Sequence, residues 1–240
     1  MKIRVIATGS TPVELDEKRW GLSLLIGETV LFDTFGMSSV FWENLCSMGV
    51  DASGIRHVII SHEHWDHITG LERLAGRNLT ATVYICPHMD PSVKTWIKGL
   101  SMPVVEVGGW LEIENGVYST GEVEGCYAGK PMPEQSLVIR DQNQLAVITG
   151  CAHPGLVPIL DHVQSRFTDS LHLLMGGFHL MDSTNEDIMK DIAALRMHGV
   201  RGVAPTHCTG ELAVRLLQDA FKDRYSAVEE GGVIDTAMDE

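Results

Sequence analysis

The sequence is short of positive charge. It holds 18 Lys and Arg against 32 Asp and Glu in 240 residues, a formal net charge of −14. Nucleic-acid binding draws on Lys/Arg patches that neutralise phosphates, so this balance argues against a nucleic-acid partner. It argues equally against an electrostatic hold on a membrane surface. Long apolar runs are missing as well. None approaches the roughly 20 residues that span a bilayer. Near the start only Val5-Ile6-Ala7 precede Thr8-Gly9-Ser10, too short a run for a signal-peptide core. A cytoplasmic location is therefore expected. The five cysteines (Cys46, Cys86, Cys126, Cys151, Cys208) are odd in number and widely spaced, with no C-x-x-C, which speaks against a disulfide framework. No linker-like or low-complexity stretch divides the chain, so one domain over residues 1–240 is expected. Hydrophobic residues at 44% and charged residues at 21% are ordinary globular values. A chain of this length can bury a sizeable core without a disulfide or metal to fold it.

Short apolar runs alternate with helical patterns. Lys2–Ala7, Leu22–Ile26 and Val30–Phe32 read as strands, with a tight turn at Gly27-Glu28. Ser39–Met48 reads as a helix stopped by Gly49. A strand at His57–Ile60, a helix at Ile68–Leu74, a strand at Thr82–Ile85 and a helix at Pro91–Ile97 follow. Residues 103–128 read as hairpins around Asn115-Gly116. The second half repeats the rhythm. Leu137–Ile139 and Leu145–Thr149 pair around Asp141-Gln142-Asn143, and a helix spans Gly155–Val163. After a strand at Leu171–Met175, the capping-box pattern Ser183-Thr184-Asn185-Glu186 opens a helix reaching about His198. Val200–Ala204 is a strand, Glu211–Phe221 a helix, and the residues from Gly231 a loose tail. Strand pairs followed by strand–helix units in both halves suggest two packed sheets with helices outside.

What the chain has in excess is histidine, 11 in all and unevenly placed. Ser61-His62-Glu63-His64-Trp65-Asp66-His67 follows directly on a strand. In extended chain His62 and His64 point the same way, and Asp66 and His67 lie where the chain turns into a helix. Such a segment can give two ligands to one metal and two to its neighbour. Imidazole suits zinc, iron, copper or nickel, and a carboxylate widens this to manganese. Three more histidines follow apolar strands through a glycine or proline: His153, His179 and His207. In layered α/β folds functional groups gather at such strand ends. His57, His88, His162, His172 and His198 read as structural or surface residues.

With Leu31-Phe32-Asp33-Thr34, the His62-x-His64-x-Asp66-His67 signature, the strand ending Gly150-Cys151 and the late His207, the chain resembles the metallo-β-lactamase superfamily. The resemblance implies an α/β fold, a four-layer αββα sandwich with two divalent metals at one edge of the sheets. Zinc is the first expectation, with manganese or iron as alternatives. More narrowly, Thr149-Gly-Cys-Ala-His-Pro-Gly155, Gly176-Gly-Phe-His-Leu180 and His207-Cys-Thr-Gly210 look like a subfamily of metal-dependent hydrolases. That subfamily is often labelled by similarity to archaeal dihydropterin ribofuranosyl-aminobenzene phosphate synthases. The label implies a carbon–nitrogen or carbon–carbon condensation on a pterin.

The chain departs from the superfamily pattern in one respect. Many members place a third histidine for the first metal between the signature and a later Gly-Asp. Here no histidine lies between His88 and His153, and the Gly-Asp is Gly150-Cys151. The pattern then implies a first site of His62, His64 and His153 and a second of Asp66, His67 and His207. A bridging carboxylate is missing. Cys151 is either a ligand or a buried thiol. His179 either ligates or binds a substrate phosphate or carboxylate, and is a candidate for oxyanion stabilisation. Asp33 is expected to hydrogen-bond the signature loop. Asp66 would orient a hydroxide and carry a proton to the leaving group. Trp65 faces the pocket or the adjoining core, and Glu134 and Gln135 could contact substrate.

These implications predict a dinuclear hydrolase acting on an ester, amide or phosphodiester of a small molecule. A pterin-related synthase and a non-catalytic metal-dependent binder or sensor are the alternatives. A di-iron redox protein fits poorly, because flavodiiron members carry Glu where His64 stands and bring a flavin domain. An RNA nuclease would be expected to carry a basic surface. Export, which defence against β-lactams needs, is not signalled.

Overall fold

The computed structural model describes residues 1–236. In chain order the elements are β1 (Lys2–Gly9), α1 (Pro12–Asp16), β2 (Gly21–Ile26), β3 (Val30–Phe32), α2 (Ser38–Ser47), β4 (His57–Ile59), α3 (Trp65–Ile68) and α4 (Leu71–Ala75). Then come β5 (Thr82–Ile85), α5 (Pro91–Gly99), β6 (Val104–Glu106), β7 (Leu111–Glu114), β8 (Val117–Ser119), β9 (Cys126–Tyr127) and β10 (Lys130–Pro131). The remainder are β11 (Leu137–Asp141), β12 (Gln144–Thr149), α6 (Leu156–Arg166), β13 (Ser170–Gly177), α7 (Asn185–Met197), β14 (Gly202–Thr206), α8 (Glu211–Phe221) and β15 (Val233–Asp235).

Two sheets form, ordered β15-β1-β2-β3-β4-β5-β6 and β14-β13-β12-β11-β8-β7, with β9 and β10 as a separate hairpin. In each, antiparallel pairs give way to parallel strands: β3 to β6 in the first, β12 to β14 in the second. Side-chain alternation sorts each strand between two layers. In β3, Val30 and Phe32 enter the core between the sheets, while Leu31 faces the first helical layer. In β12, Ala146 and Ile148 face the other sheet, while Leu145 and Val147 meet the second helical layer. Helices α2, α4 and α5 cover one outer face and α6, α7 and α8 the other, which is the expected αββα sandwich. Strands buried on both faces explain why the parallel strands read as unbroken apolar runs. Among the described residues no helix is long and apolar enough to cross a membrane.

Four expectations need correction. Residues 231–236 are not a loose tail: β15 pairs antiparallel with β1, Ile3 opposite Ile234, and the rest of the expected tail lies outside the described residues. This strand covers an edge that β1 would otherwise leave open. The helix expected at 68–74 is two, α3 and α4: between them Gly70 turns its N–H to the Phe35 carbonyl at 3.2 Å and sits against Thr34, whose carbonyl oxygen a Cβ there would meet at 2.0 Å. The cap of α7 is Thr184, which accepts from the Asp187 N–H, one residue later than the Ser183–Glu186 pattern suggests. Within 103–128, β6 is no hairpin strand but extends the parallel run beside β5. Helix α1, opened by a Thr11–Glu14 capping box and Pro12, escapes the pattern because only five residues form it.

Candidate metal centre

The parallel strands all end at one edge, and the loops that leave them carry the site. From β4 the chain runs straight into Ser61 and His62. His62 Nδ1 meets the Ser61 hydroxyl at 2.9 Å, and its Nε2 faces His64 Nδ1 at 3.1 Å. His153 arrives from the loop after β12, its ring centroid 4.5 Å from His62 and 4.9 Å from His64. One donor atom from each of the three lies within 4.8 Å of the others. Burial and the neighbouring imidazoles pull His62 well below the ordinary histidine range, and burial and His153 bring His64 to about 4. Both rings are therefore neutral, with a lone pair to offer.

A second triad lies beside the first. Asp66 Oδ2 is 3.2 Å from His207 Nε2 and 3.5 Å from His67 Nε2, and the two imidazole nitrogens are 3.2 Å apart. Each ring is steered from behind. His67 Nδ1 bonds Asp33 Oδ2 at 2.6 Å, and His207 Nδ1 bonds the Gly9 carbonyl at 3.0 Å. Burial lowers the His67 pKa, but the carboxylates of Asp33 and Asp66 more than offset this and hold it at about 9. Burial raises Asp66, and His67 and His207 overcome that rise to keep it ionised. Asp33 meets its expected role: its Oδ1 accepts from the Ser61 N–H and its Oδ2 from the Ser61 hydroxyl, both at 2.7 Å.

The donor set fits divalent metals. Two nitrogens on one tetrahedral zinc, each about 2.0–2.1 Å from it, stand roughly 3.4 Å apart. The nitrogen–nitrogen and nitrogen–oxygen spacings just given bracket that value. An orphan points the same way: His153 Nε2 is buried and has no hydrogen-bond partner, its Nδ1 being held by Glu134. An unpaired buried imidazole nitrogen costs about 1–3 kcal/mol unless something such as a metal occupies its lone pair. Cys151 Sγ lies 3.3 Å from His67 Nε2. His179 stands at the rim, its ring 4.8 Å from His153.

The loops are held by Glu134 and Gln135, which the sequence suggested as substrate contacts. Glu134 is buried and contacts no substrate space. Its Oε1 accepts from the N–H groups of Gly150, Cys151 and Ala152, and its Oε2 from the N–H and Nδ1 of His153, all at 2.9–3.0 Å. Burial raises its carboxyl, and these donors pull it down to about 2. Gln135 is structural too, donating to the carbonyls of Ile60 and Tyr84 and accepting from Ser119. Gly150 must be glycine, because a Cβ there would meet the Ser61 hydroxyl at 2.1 Å. Asp33, Ala152, His179 and His207 all have positive φ, the strained backbone that collects at functional sites.

A cavity of about 440 Å³ opens over the two triads. Leu15, Trp20, Trp65, Tyr127, Met181 and Asp182 wall it. Trp65 is 43% exposed and faces the pocket rather than the core. Tyr127, on the β9–β10 hairpin, packs edge-on to His64 at 4.8 Å. Nothing in its sequence context marks it, since only the two-residue turn at Ala128-Gly129 brings it over the site. Cys208 was also missed. It lies beside Cys151, its Sγ 3.7 Å from the Cys151 carbonyl oxygen. The five histidines read as structural or surface residues stay outside both triads.

A family model described as the metallo-beta-lactamase superfamily matches residues 21–198. The chain belongs to this superfamily. His207 lies beyond the matched span yet completes the second triad. A curated relative from Methanocaldococcus jannaschii, 7,8-dihydropterin-6-methyl-4-(beta-D-ribofuranosyl)-aminobenzene-5'-phosphate synthase, is 26% identical, with 89% of each chain covered. Among solved structures, the protein Tm1679, described as a metal-dependent hydrolase of the beta-lactamase superfamily, is similar with a TM-score of 0.79 and 28% identity over 98% of each chain. The short form of human tRNase Z shares the fold, with a TM-score of 0.64 and 15% identity over 99% of this chain and all of that one. The superfamily chain described here thus joins a sandwich fold to His, Asp and Cys groups that could hold metal.

Proposed function

We propose that this chain is a dinuclear metal-dependent hydrolase that cleaves an ester, amide or phosphodiester of a small molecule. The observation that carries the reading is the pair of facing triads, His62–His64–His153 and Asp66–His67–His207, under one cavity. The nitrogen-rich donor set favours zinc, with manganese or iron as alternatives. When bound, such ions supply Lewis acidity and a water whose pKa is brought to about 7.

The chain's own groups would do the rest. Asp66, ionised and 5% exposed, is the acceptor placed to orient the attacking water and to hand its proton to the leaving group. His179, at the rim, would donate a ring N–H to the oxygen that gains charge. Its pKa is raised by the Cys208 sulfur it faces. Trp65 and Tyr127 would exclude water and pack against the substrate's apolar part. The net charge of −14 supports a small molecule over a nucleic acid, and the free cysteines suit a reducing, cytoplasmic setting.

The 26% identity to a named synthase favours a second reading, a condensation on a pterin. Both are tested by one panel of chromogenic esters and phosphodiesters, run beside a dihydropterin with an aminobenzene ribofuranosyl phosphate. The hydrolase reading expects turnover of the first group, falling about 10²–10⁴-fold in Asp66→Ala. Turnover of the pterin pair alone selects the synthase. Metal content and ester cleavage both intact in His64→Ala and Asp66→Ala would overturn the proposal. Metal retained without turnover of either group would point to a binder or sensor.

A further inference from the structure

The two triads leave one donor unassigned. Cys151 Sγ, on a residue 3% exposed, touches His67 Nε2 at 3.3 Å and shares a 4.8 Å neighbourhood with the donor atoms of His62 and His67. The same sulfur groups within 4.8 Å with His153 and His179, and again with His207 and Cys208. It therefore reaches two members of each triad. Its backbone is pinned by Glu134, which accepts the Cys151 N–H at 2.9 Å together with those of Gly150 and Ala152. That cradle fixes the Cys151 backbone beside both triads. The partnerless His153 Nε2 points into the same cluster. Among the described residues the one group that spans the triads, His62, His67 and Cys151, holds no carboxylate, so an atom joining two ions there has to be this sulfur or come from solvent.

We propose that Cys151 is a bridging ligand, its thiolate shared by both metal ions. Each ion would then have one triad and the common sulfur, with a position left for substrate. A thiolate sulfur sits about 2.3 Å from zinc, and a zinc-bound nitrogen then lies roughly 3.6 Å from it, near the 3.3 Å spacing to His67. The S–H proton leaves to solvent as the ions bind, since a coordinating thiol is deprotonated. Sharing one soft donor narrows the choice of metal toward zinc or another thiophilic ion and away from manganese. The inference rests on the dinuclear reading above and deepens it.

Cobalt(II) titration of the metal-free full chain tests it, read by the near-ultraviolet thiolate-to-cobalt charge-transfer band. The expected band grows with the first equivalent and again with the second. Cys151→Ser abolishes it and weakens binding about 10–100-fold, while Cys208→Ser keeps it. Cys151→Asp, whose carboxylate can also bridge, takes up two equivalents without the band. Two ions bound by the wild-type chain with no band would overturn the proposal, and so would a band that survives in Cys151→Ser. A band tied to one equivalent alone would make Cys151 a terminal ligand and equally overturn it. If no cobalt binds, the dinuclear reading fails as well, which separates the two failures.

Discussion

At the scale of single residues, the site depends on two buried carboxylates that touch no substrate space. Glu134 takes three backbone N–H groups on one oxygen and both His153 donors on the other. Glu134→Gln would turn an amide NH₂ toward donors. Leaving such donors unsatisfied costs about 1–3 kcal/mol each, more where a charge is lost. The expected outcome is a chain destabilised by about 3 kcal/mol in urea unfolding, with metal affinity down about 10–100-fold by chelator competition. Asp33 acts on the second triad through His67. Because the metal-free His67 is raised to about 9, the stability it contributes is fully present below about 6.5 and is lost as pH rises through about 9. A metal must displace that proton. Metal affinity should therefore rise with pH between 7 and 9, with about one proton released from His67 in addition to the one from the Cys151 thiol, read by calorimetry in buffers of different ionisation enthalpy. Asp33→Asn should flatten that rise.

At the scale of elements, each candidate ligand, the rim histidine included, sits just past a strand whose apolar run is plain in sequence. That explains what was legible. His62, His64, Asp66, His67, His153 and His207 were findable because β4, β12 and β14 end in apolar runs followed by histidine-bearing loops. Glu134 was singled out but for the wrong role, because its true one comes from register: β11 and β12 pair Leu137 with Ile148, which brings Glu134 under the loop that follows Thr149. Tyr127 and Cys208 depend in the same way on where a hairpin and a turn fall. The C-terminal strand β15 was read as a tail because three residues, two of them exposed, carry little pattern. Its Ile234 packs against the inter-sheet core. Ile234→Asp should cost about 1–3 kcal/mol in denaturant unfolding. It should leave metal content unchanged, since β15 pairs with residues 2–4 of β1 while His207 is held at Gly9.

At the scale of the whole molecule, two similar halves each supply strand ends to one edge. The signature loop comes from the first sheet, and the Cys151–His153 and His207 loops from the second. Neither sheet alone assembles a triad. The first needs His153 beside His62 and His64, and the second needs His207 beside Asp66 and His67. Packing of the inter-sheet core around Phe32, Ile59, Ile148 and Met175 is thus what holds the ligands in register. The αββα layering was legible because that core alternates cleanly with the two helical layers. The central claim is that these sheets converge on two metal ions. The most direct measurement is the metal-to-protein ratio of the full chain by inductively coupled plasma mass spectrometry after zinc loading and removal of excess. The account predicts two ions per chain, and a chain that retains none would contradict it.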